Sequence, residues 1–204
     1  MCLMTRFLYL IRHGNAVHDG PLSEVGREQA RLVGLRLKDV PLAAIYHGPL
    51  ERAAHTASII ASNFPGVPVS ASDLVGDYIP GEPDLAGLPD DFAKFVYAYD
   101  DDERAEGGRL AVAAIARFGQ AGSPDADTHE LIVTHNLVIG WFVSQAMAAP
   151  HWRWLGINQM NCGLTVIAYT PAAPPSLIMF NDAGHLPAEL RWTGFPNRLK
   201  PPSK

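Results

Sequence analysis

Short apolar runs that end in polar residues alternate along this chain with stretches whose apolar positions recur every three or four residues. Phe7-Leu8-Tyr9-Leu10-Ile11 reads as a strand buried on both faces, closed by Arg12-His13-Gly14. Ser23 is placed to cap a helix reaching about Lys38, with Ala30, Val33 and Leu37 on one apolar face. Residues 43–47 form a second strand, stopped by Gly48-Pro49. A helix from about residue 51 to 63 follows, carrying Ala53, Ala57, Ile60 and Phe64 on one side. Residues 67–70 are too short a run to assign.

Between 72 and 106 the pattern is interrupted by Pro80, Pro83 and Pro89 and by Asp100-Asp101-Asp102-Glu103, a charge run read as a solvated turn. Phe92, Phe95, Val96 and Tyr99 recur at helical spacing, which suits a helix over a sheet or a cap over a site. A helix from about 103 to 118 leads to Gly122-Ser123-Pro124. A strand over 130–134 ends at His135-Asn136, and a helix continues to about 147. Two more strands, 164–169 and 177–180, flank a loop over 171–175. Strand and helix alternate, as in an α/β fold with a parallel sheet. No internal repeat is visible, and the 204 residues read as one domain.

Composition narrows what such a fold can do. A hydrophobic share of 48% is ordinary for a globular protein. No apolar run approaches the roughly 18 residues a membrane span needs, so no membrane association is expected. The opening MCLMTRFLYLIRHG has too short an apolar stretch, and no small-residue cleavage site, to read as a secretory signal. Cys2 and Cys162 are the two cysteines, which argues against a disulfide framework or a cysteine metal site. These features together suggest a cytoplasmic protein. The formal net charge is −5, and the four lysines (Lys38, Lys94, Lys200, Lys204) form no basic stripe, so a nucleic-acid partner is not expected. An anionic ligand would have to be held by a few placed arginines.

The placement of arginines and histidines supplies the candidate chemistry. Open parallel sheets bind ligands at the carboxyl ends of their strands. Three of the strands end in Arg12-His13-Gly14, in His47-Gly48-Pro49 with Arg52 one turn on, and in His135-Asn136. Arginine's planar fork bonds two phosphate oxygens at once, and helix N-termini add oriented N–H donors. Taken singly, each residue has a plainer role: Arg52 could pair with Glu51, and His135 could be a satisfied core histidine. Their coincidence at three strand ends points to one phosphate site.

These segments resemble the histidine phosphatase (phosphoglycerate mutase-like) superfamily. The matching blocks are Leu10-Ile11-Arg12-His13-Gly14 with Leu22-Ser23-Glu24-Val25-Gly26-Arg27-Glu28-Gln29-Ala30, then Ile45 to Ala57, then Val133-Thr134-His135-Asn136, and finally Asn181-Asp182-Ala183-Gly184-His185-Leu186. The resemblance implies a three-layer α/β fold, with a mostly parallel central sheet and helices on both faces. An inserted segment at about 72–106 would lie over the site. By similarity, His13 is a nucleophile forming a phosphohistidine, while Arg12, Arg52 and His135 hold the phosphate oxygens. His135 could be a third cation when protonated. No cofactor and no metal is implied. Members with a general acid place a glutamate in a short stretch after the second helix. Here Asp77 falls closest in register, with Gly81 four positions on, and Glu82 is the alternative. Many relatives carry serine where His47 stands and a polar amide near Asp19.

The expected activity is hydrolysis of a small phosphorylated metabolite. A protein phosphohistidine phosphatase is the alternative, with a phosphoglycerate mutase or a non-catalytic phosphate-binding module behind it. Specificity would come from the 72–106 segment and from Trp141, Trp152, Trp154 and His185. The tract Trp152-Arg153-Trp154 fits either core packing or a self-association surface, so a homodimer is left open.

Overall fold

The computed structural model describes residues 4–18, 20–81, 88–122 and 125–201. Cys2, Asp19 and Glu82 lie outside the described residues. The elements follow the order β1 (Arg6–Arg12), α1 (Glu24–Leu37), β2 (Leu42–His47), α2 (Glu51–Ala61), β3 (Val69–Ala71), α3 (Asp90–Val96), α4 (Asp101–Phe118), β4 (Thr128–Thr134), α5 (Asn136–Ala146), β5 (Leu164–Tyr169) and β6 (Ser176–Asp182). They build a mixed sheet in the order β3-β2-β4-β1-β5-β6. The β3–β2, β2–β4 and β4–β1 pairings are parallel, and β5 joins β1 and β6 antiparallel. No described helix is long and apolar enough to cross a membrane.

The near-continuous apolar reading of β1 and β4 has a direct cause. Successive side chains point to opposite faces, and both faces are covered. Ile11, Leu131 and Val133 pack against Ala30, Val33 and Leu37 of α1 and against Ala53, Ala57 and Ile60 of α2. Leu8, Leu10 and Ile132 pack on the other face, against Ala114 and Phe118 of α4 and Val138, Ile139 and Phe142 of α5. The three-layer α/β arrangement follows.

Register brings the strand ends level. Arg12 lies opposite Thr134, and His47 opposite Val133. The ladder runs one residue further, with His13 N–H donating to the Thr134 carbonyl (2.9 Å) and Gly48 N–H to the Val133 carbonyl (3.0 Å). His13, Gly48 and His135 therefore sit side by side along one edge.

The acidic run is solvent-exposed, as expected, but it is a helix start and not a turn. Asp100 caps α4, its side chain accepting from Glu103 N–H (2.8 Å) while Glu103 reaches back to Asp100 N–H (3.2 Å). Such a reciprocal cap, with acids in the first turn against the helix dipole, starts the helix at Asp101. At its other end the buried Arg6 donates to the carbonyls of Arg117, Phe118 and Gln120 and pairs with Glu130. Trp141 and Trp154 are core residues, packed with Ile79, Val96, Ala111 and Leu155. They fasten the 72–106 segment to α5. Trp152 is half-buried and faces Phe92.

Candidate active site

The loop after β1 is held by close backbone approach. A Cβ at Gly26, in the first turn of α1, would lie 2.0 Å from the Asn15 carbonyl oxygen, so glycine is required for the helix to sit against the loop. Ser23 caps α1 by accepting from Gly26 N–H, and its hydroxyl contacts the Asn15 side chain and carbonyl. Thr56 of α2 accepts from Gly14 N–H (3.0 Å) and donates to the Arg52 carbonyl (2.7 Å), tying the first loop to the second helix.

The tautomer of His13 is set by its two neighbours. Nδ1 lies 2.8 Å from the Gly14 carbonyl, an atom that can only accept, so Nδ1 carries the proton. Nε2 accepts from Arg52 Nε–H at 3.2 Å, and arginine can only donate. The Nε2 lone pair therefore faces the cluster of Arg52, His135 and Asp77. Asn161 fixes the backbone beneath by donating to the His13 carbonyl (2.8 Å).

The buried Arg52 also donates from Nη2 to Asp77 Oδ2 (2.7 Å), and His135 Nδ1 lies 3.3 Å from the same oxygen. The His13 and His135 rings are 5.0 Å apart. Both imidazoles are pushed down to a pKa of about 3. For His13 the causes are burial, then His135, then Arg12 and Arg52, opposed by the Gly14 hydrogen bond. For His135 they are burial, then Arg52, then Arg12. His135 is thus neutral at neutral pH in the anion-free site. Its expected role as a third cation applies only once it is protonated, which burial beside two guanidinium groups disfavours at rest.

Arg12 is oriented by backbone. Its Nη1 donates to the carbonyls of Gln159 (2.8 Å) and Gly194 (2.6 Å). The structure thus brings Arg12, His13, Arg52, Asp77 and His135 to one place. Asp77 is joined to Arg52 at rest, at the solvent-facing rim of the cluster, 37% of its side chain being exposed. Its loop is held by Thr134, whose hydroxyl donates to the Val75 carbonyl (2.7 Å). His47 makes the same Nδ1 contact to Gly48 (2.8 Å) that His13 makes to Gly14. The half-buried His185 has a partner in the Cys162 carbonyl (3.1 Å). Among the described residues no group of three or more His, Cys, Asp or Glu side chains is gathered to hold a metal ion.

Sequence reading missed Thr56, Asn161, Gln159 and Gly194. Thr56 lies inside the block from Ile45 to Ala57, whereas Asn161 stands in no motif. The last two act through main-chain carbonyls, which no residue type advertises.

Comparison with known proteins supplies the family and the fold. The chain is 34% identical over 197 residues to the Xenopus laevis protein named Serine/threonine-protein phosphatase PGAM5, mitochondrial, with 91% of this chain and 68% of that protein covered. It is 31% identical over 193 residues to the Homo sapiens protein of that name, covering 91% and 65%. This chain therefore spans about two thirds of the length of those relatives. Among solved structures, phosphoglycerate mutase from Bacillus anthracis str. Sterne has a TM-score of 0.70 at 20% identity, with 90% and 96% of the two chains covered. At that identity the likeness establishes the fold. Residues 8–182 match the family described as the histidine phosphatase superfamily (branch 1), and the chain belongs to that superfamily.

Proposed function

We propose that the protein is a phosphomonoesterase that passes the phosphoryl group through His13 to water. The observation that supports this best is the pair of hydrogen bonds that leaves the His13 Nε2 lone pair facing Arg52 and His135. In the first step Nε2 attacks phosphorus and the ester P–O bond breaks. The departing oxygen takes a proton from Asp77. In the second step water attacks the phosphohistidine, the P–N bond breaks, and Asp77 accepts the water's proton. Arg12, Arg52 and His135 hold the non-bridging oxygens, positioning and electrostatics being most of what phosphoryl transfer requires.

The resting Arg52–Asp77 pair has a place in this scheme. An arriving phosphate monoanion competes for the Arg52 fork; its own proton passes to Asp77, released from that pairing, and from there to the leaving group. The arginines supply the charge offset that a metal ion provides elsewhere, so turnover proceeds without one.

A small phosphorylated metabolite and a phosphoserine or phosphothreonine of a protein differ only in the alcohol. The relatives at 31–34% identity are named protein serine/threonine phosphatases, which favours the second reading over the metabolite. Steady-state kcat/KM on a phosphoserine peptide series and on a panel of metabolite phosphates separates them. A phosphopeptide preference of tenfold or more supports the protein reading, and a single preferred metabolite supports the other. No turnover on any phosphate ester, with inorganic phosphate still bound, would identify a non-catalytic phosphate-binding module and overturn the proposal.

A further inference from the structure

The segment after β6 lies beyond the residues matched to the family, yet it reaches the candidate site. Met160, Ala183 and Leu186 form a small buried cluster, against which Leu32, Leu190, Trp192 and Phe195 pack. Trp192 and Phe195 meet edge to face, with ring centroids 5.2 Å apart. Between them the chain turns with Trp192 at φ 65° and Gly194 at φ 68°. That left-handed turn presents the Gly194 carbonyl to Arg12 Nη1 at 2.6 Å, while Gln159 presents a second carbonyl to the same nitrogen. Two acceptors on one nitrogen use both of its hydrogens and fix the plane of the guanidinium.

Two further residues anchor this segment to the nucleophile's own loop. The fully buried Gln29 of α1 accepts from Asn15 N–H (2.9 Å) and donates to the Leu190 carbonyl (2.7 Å) and the Thr193 hydroxyl (2.8 Å). Asn161 N–H donates to the Thr193 carbonyl (3.1 Å), and its side chain donates to the His13 carbonyl. A Cβ at Gly194 would lie 2.5 Å from Asn161 Oδ1 and 2.8 Å from Arg12 Nη1. No side chain fits there without moving the arginine or the asparagine, and φ 68° independently favours glycine.

From these contacts we infer that residues 186–195 are a strap that positions Arg12 for the phosphate, with Gly194 and Gln29 as its positioning residues. The inference rests on Arg12 being a phosphate ligand. The strap touches no reacting atom; it acts through the roll of one guanidinium plane, and so through affinity for the phosphoryl group.

Orthovanadate binding by titration calorimetry tests this in four proteins: wild type, Gly194→Ala, Arg12→Ala and the double variant. Gly194→Ala should weaken vanadate about tenfold, the scale of one misplaced charged hydrogen bond. In the Arg12→Ala background the same change should have no further effect, because interacting sites fail to add. Thr193→Val, which removes only the hydroxyl held by Gln29, should weaken vanadate in the same direction and should also be silent without Arg12. Equal weakening in both backgrounds, or none in either, would overturn the strap. Wild-type vanadate affinity in Arg12→Ala would overturn Arg12 as a ligand, and the inference with it.

Discussion

Lowering the pH from 7 to 5 should destabilise this protein through two specific side chains. His13 and His135 have folded pKa values of about 3, set first by burial, against an ordinary histidine value of 6.5. Both shifts are downward, so the fold favours the neutral form. Above about pH 6.5 both native and unfolded chains hold neutral imidazoles, and the shift contributes nothing. Below that the unfolded chain takes up protons while the native chain does not until about pH 3, so stability is lost as pH falls through this window. At about 1.4 kcal/mol per unit, each histidine removes about 2 kcal/mol by pH 5, about 4 kcal/mol for the pair. That is a large part of the roughly 5–15 kcal/mol that holds a typical domain together. Denaturant unfolding at pH 7 and pH 5, on wild type and on His135→Gln, isolates one of the two. The variant's loss between the two pH values should be smaller by about 2 kcal/mol, whatever the remaining carboxylates contribute. Equal losses in the two proteins would mean that His135 titrates normally in the folded state, and would refute the burial argument.

Other expectations concern turnover. Asp77→Asn should slow an alkyl phosphate about 10²–10⁴-fold and p-nitrophenyl phosphate only mildly, because a good leaving group needs no proton; equal slowing of both removes Asp77 as the acid. Exhaustive chelation should leave the rate unchanged while orthovanadate inhibits, and a rate lost to the chelator and restored by one cation would contradict the charge argument. Gly26→Ala should disturb the nucleophile loop, since its Cβ would sit 2.0 Å from the Asn15 oxygen; the expected result is a fall in melting temperature and in kcat/KM, and an unchanged protein would show that α1 can move aside.

Much of the scaffold was legible because its signals are local. Ser23 before an apolar periodic run marks a helix start, and Gly48-Pro49 ends a strand wherever it stands. The strand-end rule then located His13, Arg52 and His135 without any knowledge of their contacts. The acidic run was legible too, but by spacing and not by charge: Asp100 and Glu103 stand in the D-x-x-E pattern of a capping box. Reading the run as a block of charge hid the helix start. Trp141 and Trp154 looked available for substrate because composition cannot tell a buried ring from an exposed one. The hold on Arg12 was beyond reach for a deeper reason. Its two acceptors are main-chain oxygens 147 and 182 positions away along the chain, and every residue has such an oxygen. Likewise, the downward shift of His135 depends on how tightly the core closes around it, which periodicity does not report.

Whether His13 carries the phosphoryl group is decided by chemical trapping. The enzyme is mixed with a ³²P-labelled phosphate ester, quenched within the first turnover, and the labelled peptide is mapped. Label should fall on the peptide containing His13, labile to acid and stable to base, and should be absent from His13→Ala, which stays folded and loses turnover. Label that survives acid, or that still accumulates on His13→Ala, would contradict a phosphohistidine at His13.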